Sequence, residues 1–119
     1  MSTNPPSAPA SGLDLKVYIE EAATVVRCNG RLTAGLTANL KEQVKELIPH
    51  TKLIVLDLTY LHHMDSSGLG TIVALYVSAR RANCDLRLIN FNKRVRELLG
   101  MSNLLSVFEA CGQYFIRMP

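Results

Sequence analysis

The run Leu53-Ile54-Val55-Leu56, carried on through Asp57-Leu58-Thr59, constrains this chain more than any other stretch. Four consecutive apolar residues with β-branched members read as a strand buried on both faces, the kind a parallel sheet uses. A few residues on, His62-His63-Met64-Asp65-Ser66-Ser67-Gly68-Leu69-Gly70 launches a helix. Asp and Ser side chains accept hydrogen bonds from the first free amides of a helix, so Asp65-Ser66-Ser67 is suited to cap it. A serine hydroxyl held there sits among unpaired amides at the positive end of the helix dipole, an environment that favours an added phosphate. Strand, cap and hydroxyl together make a switch chemically feasible.

Around this centre the periodicity predicts further elements. Leu15 to Glu20 alternates apolar and polar as a half-buried strand does, Glu21-Ala22-Ala23 turns the chain, and Thr24 to Cys28 returns as the second arm of an antiparallel hairpin. Asn29-Gly30 tolerates positive φ and is expected to stop that strand. From Thr33 as N-cap, Leu36, Leu40, Val44, Leu47 and Ile48 fall on one helical face, and Pro49 ends the helix. The helix after Asp65 carries Leu69, Ile72, Val73 and Tyr76 on one stripe up to Arg80-Arg81, with Asn83 as its stop. Asp85 to Ile89 alternates as another strand. Val95, Leu98 and Leu99 mark a short helix closed by Gly100, and Leu104 to Phe108 reads as a last short strand before a tail from Glu109 to Pro119. Strand, strand, helix, strand, helix, strand, helix is an α/β order whose later strands are parallel, with right-handed crossovers.

At 119 residues, 48% hydrophobic and 19% charged, the chain is sized for one domain with one core, over residues 13–119. Residues 1–12, rich in Pro, Ser, Ala and Asn, lack the apolar core and cationic start of a signal peptide and read as a disordered leader. No apolar stretch approaches the roughly 20 residues that span a bilayer, which places the protein in the cytoplasm without membrane insertion. A net charge of +3, with basic residues dispersed apart from Arg80-Arg81 and Lys93-Arg94-Arg96, gives no support to direct nucleic-acid binding. Arg80-Arg81 suits a helix C-terminus, where cations complement the dipole, whereas Lys93-Arg94 at a helix start is at the unfavourable end. Cys28, Cys84 and Cys111 lack C-x-x-C spacing and read as reduced, packed thiols.

The enzyme motifs fail one by one. Ser66 or Ser67 with His62 or His63 offers a nucleophile and base but lacks the Gly-x-Ser-x-Gly elbow and an orienting acid. Adjacent histidines on extended backbone point to opposite sides, so His62-His63 with Asp65 reads as surface loop rather than metal site. Gly68-Leu69-Gly70 is too short for a dinucleotide fingerprint, and its glycines are better explained by close backbone packing.

Leu56-Asp57-Leu58-Thr59, a short spacer, and Met64-Asp65-Ser66-Ser67-Gly68-Leu69-Gly70 resemble the STAS domains of bacterial anti-sigma factor antagonists. The resemblance extends upstream to Asn29-Gly30-Arg31-Leu32-Thr33 and downstream through Asp85 to Phe108. It implies a mixed four- or five-stranded sheet packed with helices and opened by an N-terminal β-hairpin. It also implies a non-enzymatic partner switch: the unphosphorylated domain binds an anti-sigma factor that is itself a serine kinase, and phosphorylation breaks the complex. The phosphoacceptor corresponds to Ser66, with Ser67 as its supporting neighbour. The implied contact surface comprises Gly30, Arg31, Thr33, His62, Met64, Asp65, Ser67, Gly68 and Leu69. No cofactor is implied, since ATP belongs to the kinase, and a phosphatase is needed for reactivation. Where the family commonly has Asp after Gly-x-Leu, this chain has Thr33, which removes a negative charge from the expected partner face. The alternative within the same fold is a STAS subunit of a lipid-transport complex or stressosome-type scaffold, without sigma control.

Overall fold

Strand β3, Leu53–Met64, is built from the apolar run and is the longest of the four strands among the described residues; Ile54 and Leu56 are buried but Leu53 and Val55 only half-buried, so the run is not buried on both faces as expected. The computed structural model describes residues 12–90 and 92–101. The strand expected over Leu104 to Phe108, the tail after it, residues 1–11 of the leader and Cys111 lie outside them. Along the chain follow β1 (Leu13–Ile19), β2 (Thr24–Leu32), α1 (Ala38–Leu47), a single 3-10 turn (Ile48–His50), β3, α2 (Ser66–Arg81), β4 (Asp85–Ile89) and α3 (Lys93–Met101). The sheet order is β1-β2-β3-β4. β1 and β2 pair antiparallel as the expected hairpin, while β2–β3 and β3–β4 are parallel. This is the mixed α/β sheet that the element order predicted, with four strands among the described residues.

The core is one cluster. Val26 and Cys28 of β2, Ile54, Leu56 and Leu58 of β3, and Leu86 and Leu88 of β4 meet Leu40 and Val44 of α1 and Ile72, Leu75 and Ala79 of α2. Each large aliphatic side chain buried this way stabilises the fold by about 1.5–3 kcal/mol. On α2 the buried set is Gly68, Leu69, Thr71, Ile72, Leu75 and Ala79, while Val73 and Tyr76 are only half-buried. The expected stripe of Leu69, Ile72, Val73 and Tyr76 is thus turned about the helix axis, because α2 packs on β3 and β4 while also touching α1 and α3. α2 stops where expected: Asn83 adopts φ 60°, donates from its amide to the Arg80 carbonyl, and lets the Cys84 amide reach back to Ala79 O at 2.8 Å. Arg80 and Arg81 occupy its last turn.

Four local expectations are corrected. Asn29-Gly30 does not end β2: Gly30 takes φ 122° inside the strand, which continues to Leu32. Thr33 does not cap α1. The Leu36 amide bonds to Thr33 O at 2.9 Å, and Gly35 takes φ 85° at the third turn position, the value a type II turn demands and a helix forbids. The helix starts only at Ala38, after Thr37. Gly100 does not close α3, which runs on to Met101. Finally, His62 and His63 are not loop residues but belong to β3, with Arg31 opposite His63 and Leu32 opposite Met64.

That extension of β3 has a legible cause. Arg27 pairs with Asp57 and Asn29 with Tyr60, then Gly30 with Leu61 and Arg31 with His63, so β3 carries one extra residue at each of two places. At the first, Asp57 Oδ1 accepts from the Thr59 amide at 3.1 Å and from the Thr59 hydroxyl, an Asx turn that competes with the regular ladder. The Asp-Leu-Thr motif therefore shapes the strand. The same carboxylate, 5% exposed, accepts from Arg27 Nε at 3.2 Å and from Asn90 Nδ2 at 3.4 Å. Arg27 lies over the Tyr18 and Tyr60 rings, 5.3 and 5.5 Å from their centroids. Asp57 thus joins β2, β3 and the end of β4 at the last rung that β4 shares with β3. Beyond it only β2 and β3 continue, carrying the chain to Asp65.

Candidate functional site

Asp65 is the N-cap of α2. Its backbone is extended, and its Oδ1 accepts from the Gly68 amide at 3.0 Å. Ser66 and Ser67 are the first two residues of the helix, and both are exposed. The Ser67 carbonyl accepts from the Thr71 hydroxyl at 3.0 Å, so that residue is tied into the helix through its backbone. The sequence-based placement of two serines at a capped helix start is what the structure shows.

What lies beside them is less legible. Asp65 Oδ2 accepts from the Ala34 amide at 3.0 Å, so one carboxylate bonds two segments 31 residues apart. The Asp65 amide in turn reaches Leu32 O at 3.4 Å. Gly68 presses against the same carbonyl: a Cβ there would overlap Leu32 O and fall 2.8 Å from Met64 Cγ. At Gly70 a Cβ would meet nothing within 4 Å. The expectation of close packing thus holds for Gly68 and not for Gly70.

The predicted contact residues divide into three groups. Gly30, Met64, Gly68 and Leu69 are buried and shape the surface from beneath. Arg31, His62 and Ser67 are exposed, as are His63 and the expected phosphoacceptor Ser66 beside them, and Thr33 and Asp65 are half-buried. The β2–β3 register and the Asp65–Ala34 bond bring the Arg31–Ala34 and His62–Ser67 segments together at one end of the sheet. The Ala34-Gly35 turn was missed as part of this site. Its signal was present in the sequence, since a Gly two residues after Thr33 marks the third position of a turn rather than the first turn of a helix.

The amides of Ala34 and then Gly68 hold the Asp65 carboxyl below its ordinary value of 3.8. A carboxylate lowered on folding stabilises the fold fully above that ordinary value and ceases to do so as pH falls through the lower, folded-state value. Among the described residues no group of three or more His, Cys, Asp or Glu side chains is arranged to hold a metal ion. Cys28 and Cys84 are buried free thiols. Burial first, and the Asp57 charge second, push Cys28 up to about 12, so it is a neutral packing group at ordinary pH. No described helix is long and apolar enough to cross a membrane.

A mixed four-stranded sheet with a capped Asp-Ser-Ser-Gly helix start at the end of its longest strand defines a class that similarity to known proteins identifies. The STAS domain model matches residues 14–114, and the chain belongs to the STAS domain family. It is 30% identical over 97 residues to the anti-sigma F factor antagonist of Paenibacillus polymyxa, covering 80% of this chain and 83% of that protein. The fold is shared with the anti-sigma factor antagonist SpoIIAA in its unphosphorylated form (TM-score 0.68, 20% identity, 78% of this chain and 84% of that one). It is shared also with the Bacillus cell fate determinant SpoIIAA in its phosphorylated form (TM-score 0.64, 19% identity, 81% and 86%). An anti-sigma factor antagonist from Mycobacterium paratuberculosis gives TM-score 0.73 at 17% identity, over 86% and 87% of the two chains.

Proposed function

We propose that this chain is a cytoplasmic anti-sigma factor antagonist that binds an anti-sigma factor with serine kinase activity and is switched off by phosphorylation of Ser66. The observation that carries the reading is an exposed serine at the first position of a 16-residue helix, beside the turn that Asp65 draws in from the end of β2. A partner laid over that end of the sheet covers the hydroxyl, so one modification reports directly on the interface. The protein supplies a substrate side chain and a docking surface, ATP enters with the kinase, and a phosphatase restores the unmodified form. Direct contact with nucleic acid or membrane has no part in it. The antagonist relative and the existence of phosphorylated and unphosphorylated SpoIIAA structures support the reading.

The test is incubation with the anti-sigma factor kinase and ATP followed by mass mapping. Phosphate is expected on Ser66, and Ser66→Ala is expected to abolish incorporation while the complex still forms. Phosphate on Ser67 alone contradicts the assignment. The footprint is a second prediction: adding the partner should slow amide exchange across His62 to Leu69 and in the Thr33–Leu36 turn, leaving the α2 C-terminus around Ala79 to Asn83 unchanged. Protection confined to that far end would place the interface elsewhere.

A further inference from the structure

Capping alone does not explain an aspartate at position 65. Ser or Asn serves an N-cap about as well as Asp, and each offers a single oxygen to the helix amides. A carboxylate offers two oxygens, and here both are used, Oδ1 on the Gly68 amide and Oδ2 on the Ala34 amide. The second bond reaches a turn that lies between elements: β2 has ended at Leu32 and α1 has not begun until Ala38. The turn closes on itself through Leu36 N and Thr33 O, and the Ala34 bond fixes it to α2. Both bonds come from backbone donors to an ionised acceptor, the stronger kind of hydrogen bond, and they hold the carboxyl in its charged form. Leu32, immediately before the turn, is clamped by the Asp65 amide and by the close approach of Gly68.

From this geometry we propose that Asp65 is a positioning residue that sets the Thr33–Leu36 turn at a fixed place relative to Ser66, so that turn and serine form one preorganised docking surface. The docking role rests on the function proposed above, whereas the fixing of the turn belongs to the free domain. A surface already ordered before binding loses less conformational freedom when the partner arrives, and removal of the Ala34 bond returns that cost to the complex.

Two variants separate this role from capping. Asp65→Asn keeps one oxygen for Gly68 and turns its amino group toward the Ala34 amide, donor against donor. Asp65→Ser keeps a short cap and cannot span both amides. In each, NMR amide exchange of the free protein is expected to accelerate about tenfold or more at Ala34 and to stay within about twofold at Gly68. Affinity for the unphosphorylated-state partner is expected to fall about tenfold, and phosphate incorporation at saturating partner is expected to remain. Unchanged Ala34 exchange in both variants overturns the positioning role, as does equal loosening at Ala34 and Gly68, which is the signature of a lost cap alone. Unchanged affinity with a loosened Ala34 overturns its link to docking. Failure of the unsubstituted protein to bind the kinase counts against the proposed function and not against the fixed turn, which the exchange contrast decides by itself.

Discussion

Gly68→Ala is expected to lower the melting temperature by roughly 10 °C or more, followed by circular dichroism. In an exposed helix the same change gains about 1 kcal/mol from propensity. At Gly68 the added methyl overlaps a backbone carbonyl, Leu32 O, and crowds Met64 Cγ at 2.8 Å. A flexible side chain could yield, but Leu32 is fixed by its pairing with Met64 and by the Asp65 amide. Overpacking a tight site costs about 1–3 kcal/mol and sometimes more; with rigid backbone on one side we expect a net loss of about 2–3 kcal/mol, at roughly 4–8 °C per kcal/mol for a domain of this order of size. Gly70→Ala, two residues along the same helix and with nothing within 4 Å, should instead raise the melting temperature by several degrees, from that gain of about 1 kcal/mol. Equal stability of the two variants would contradict the close contact of α2 with the end of β2.

Stoichiometric phosphorylation of Ser66 is expected to weaken partner binding at least about 30-fold, the equivalent of about 2 kcal/mol or more, while the circular dichroism spectrum and melting temperature stay nearly constant. The dianion adds about −1.5 to −2 charges near neutral pH. At the first position of α2 that charge sits at the positive end of the helix dipole, so the fold is expected to accommodate it. The neighbouring carboxylate, Asp65, is held on the Ala34 and Gly68 amides and carries the same sign of charge, so it offers the phosphate no counter-charge. In a close-packed complex the phosphate must either meet the partner's surface or be buried without a counter-charge, and both oppose association. Ser66→Asp should act in the same direction with smaller effect, because one carboxylate carries less charge and fewer acceptors. Persistent affinity of the phosphorylated protein, or release accompanied by melting of the domain, would exclude electrostatic release.

How far the sequence reached is clearest at the two ends of α2. At Asn83 a small polar residue follows Arg80-Arg81, and the left-handed turn that ends the helix is a matter of three or four neighbouring residues, so local chemistry sufficed. At Asp65 the cap to Gly68 was local and legible for the same reason. The bond to Ala34 spans 31 positions, and no periodicity or capping rule addresses a contact of that range. The same limit explains Thr33. Its residue type allows it to cap a helix, but Gly35 places a type II turn directly after it, and the helical spacing of Leu36 and Leu40 hid that break.

By itself the sequence determined the order of the elements, the apolar strand β3, the hairpin and the serines at the start of α2, because each follows from spacing or capping within about one or two turns of chain. It also carried the motifs by which the chain resembles its family. Only the tertiary structure decided which face of α2 is fully buried, since Leu75 and Ala79 lie inside the core while Val73 and Tyr76, half-buried, pack at its margin once α2 lies on β3 and β4. It alone decided that β3 runs through His62 and His63, because bulges against β2 prolong the strand past the end of β4. And it placed the Ala34 turn against Asp65, the residue before Ser66, because parallel pairing carries β2 and β3 to the same end of the sheet, where a single carboxylate can reach both segments that leave it.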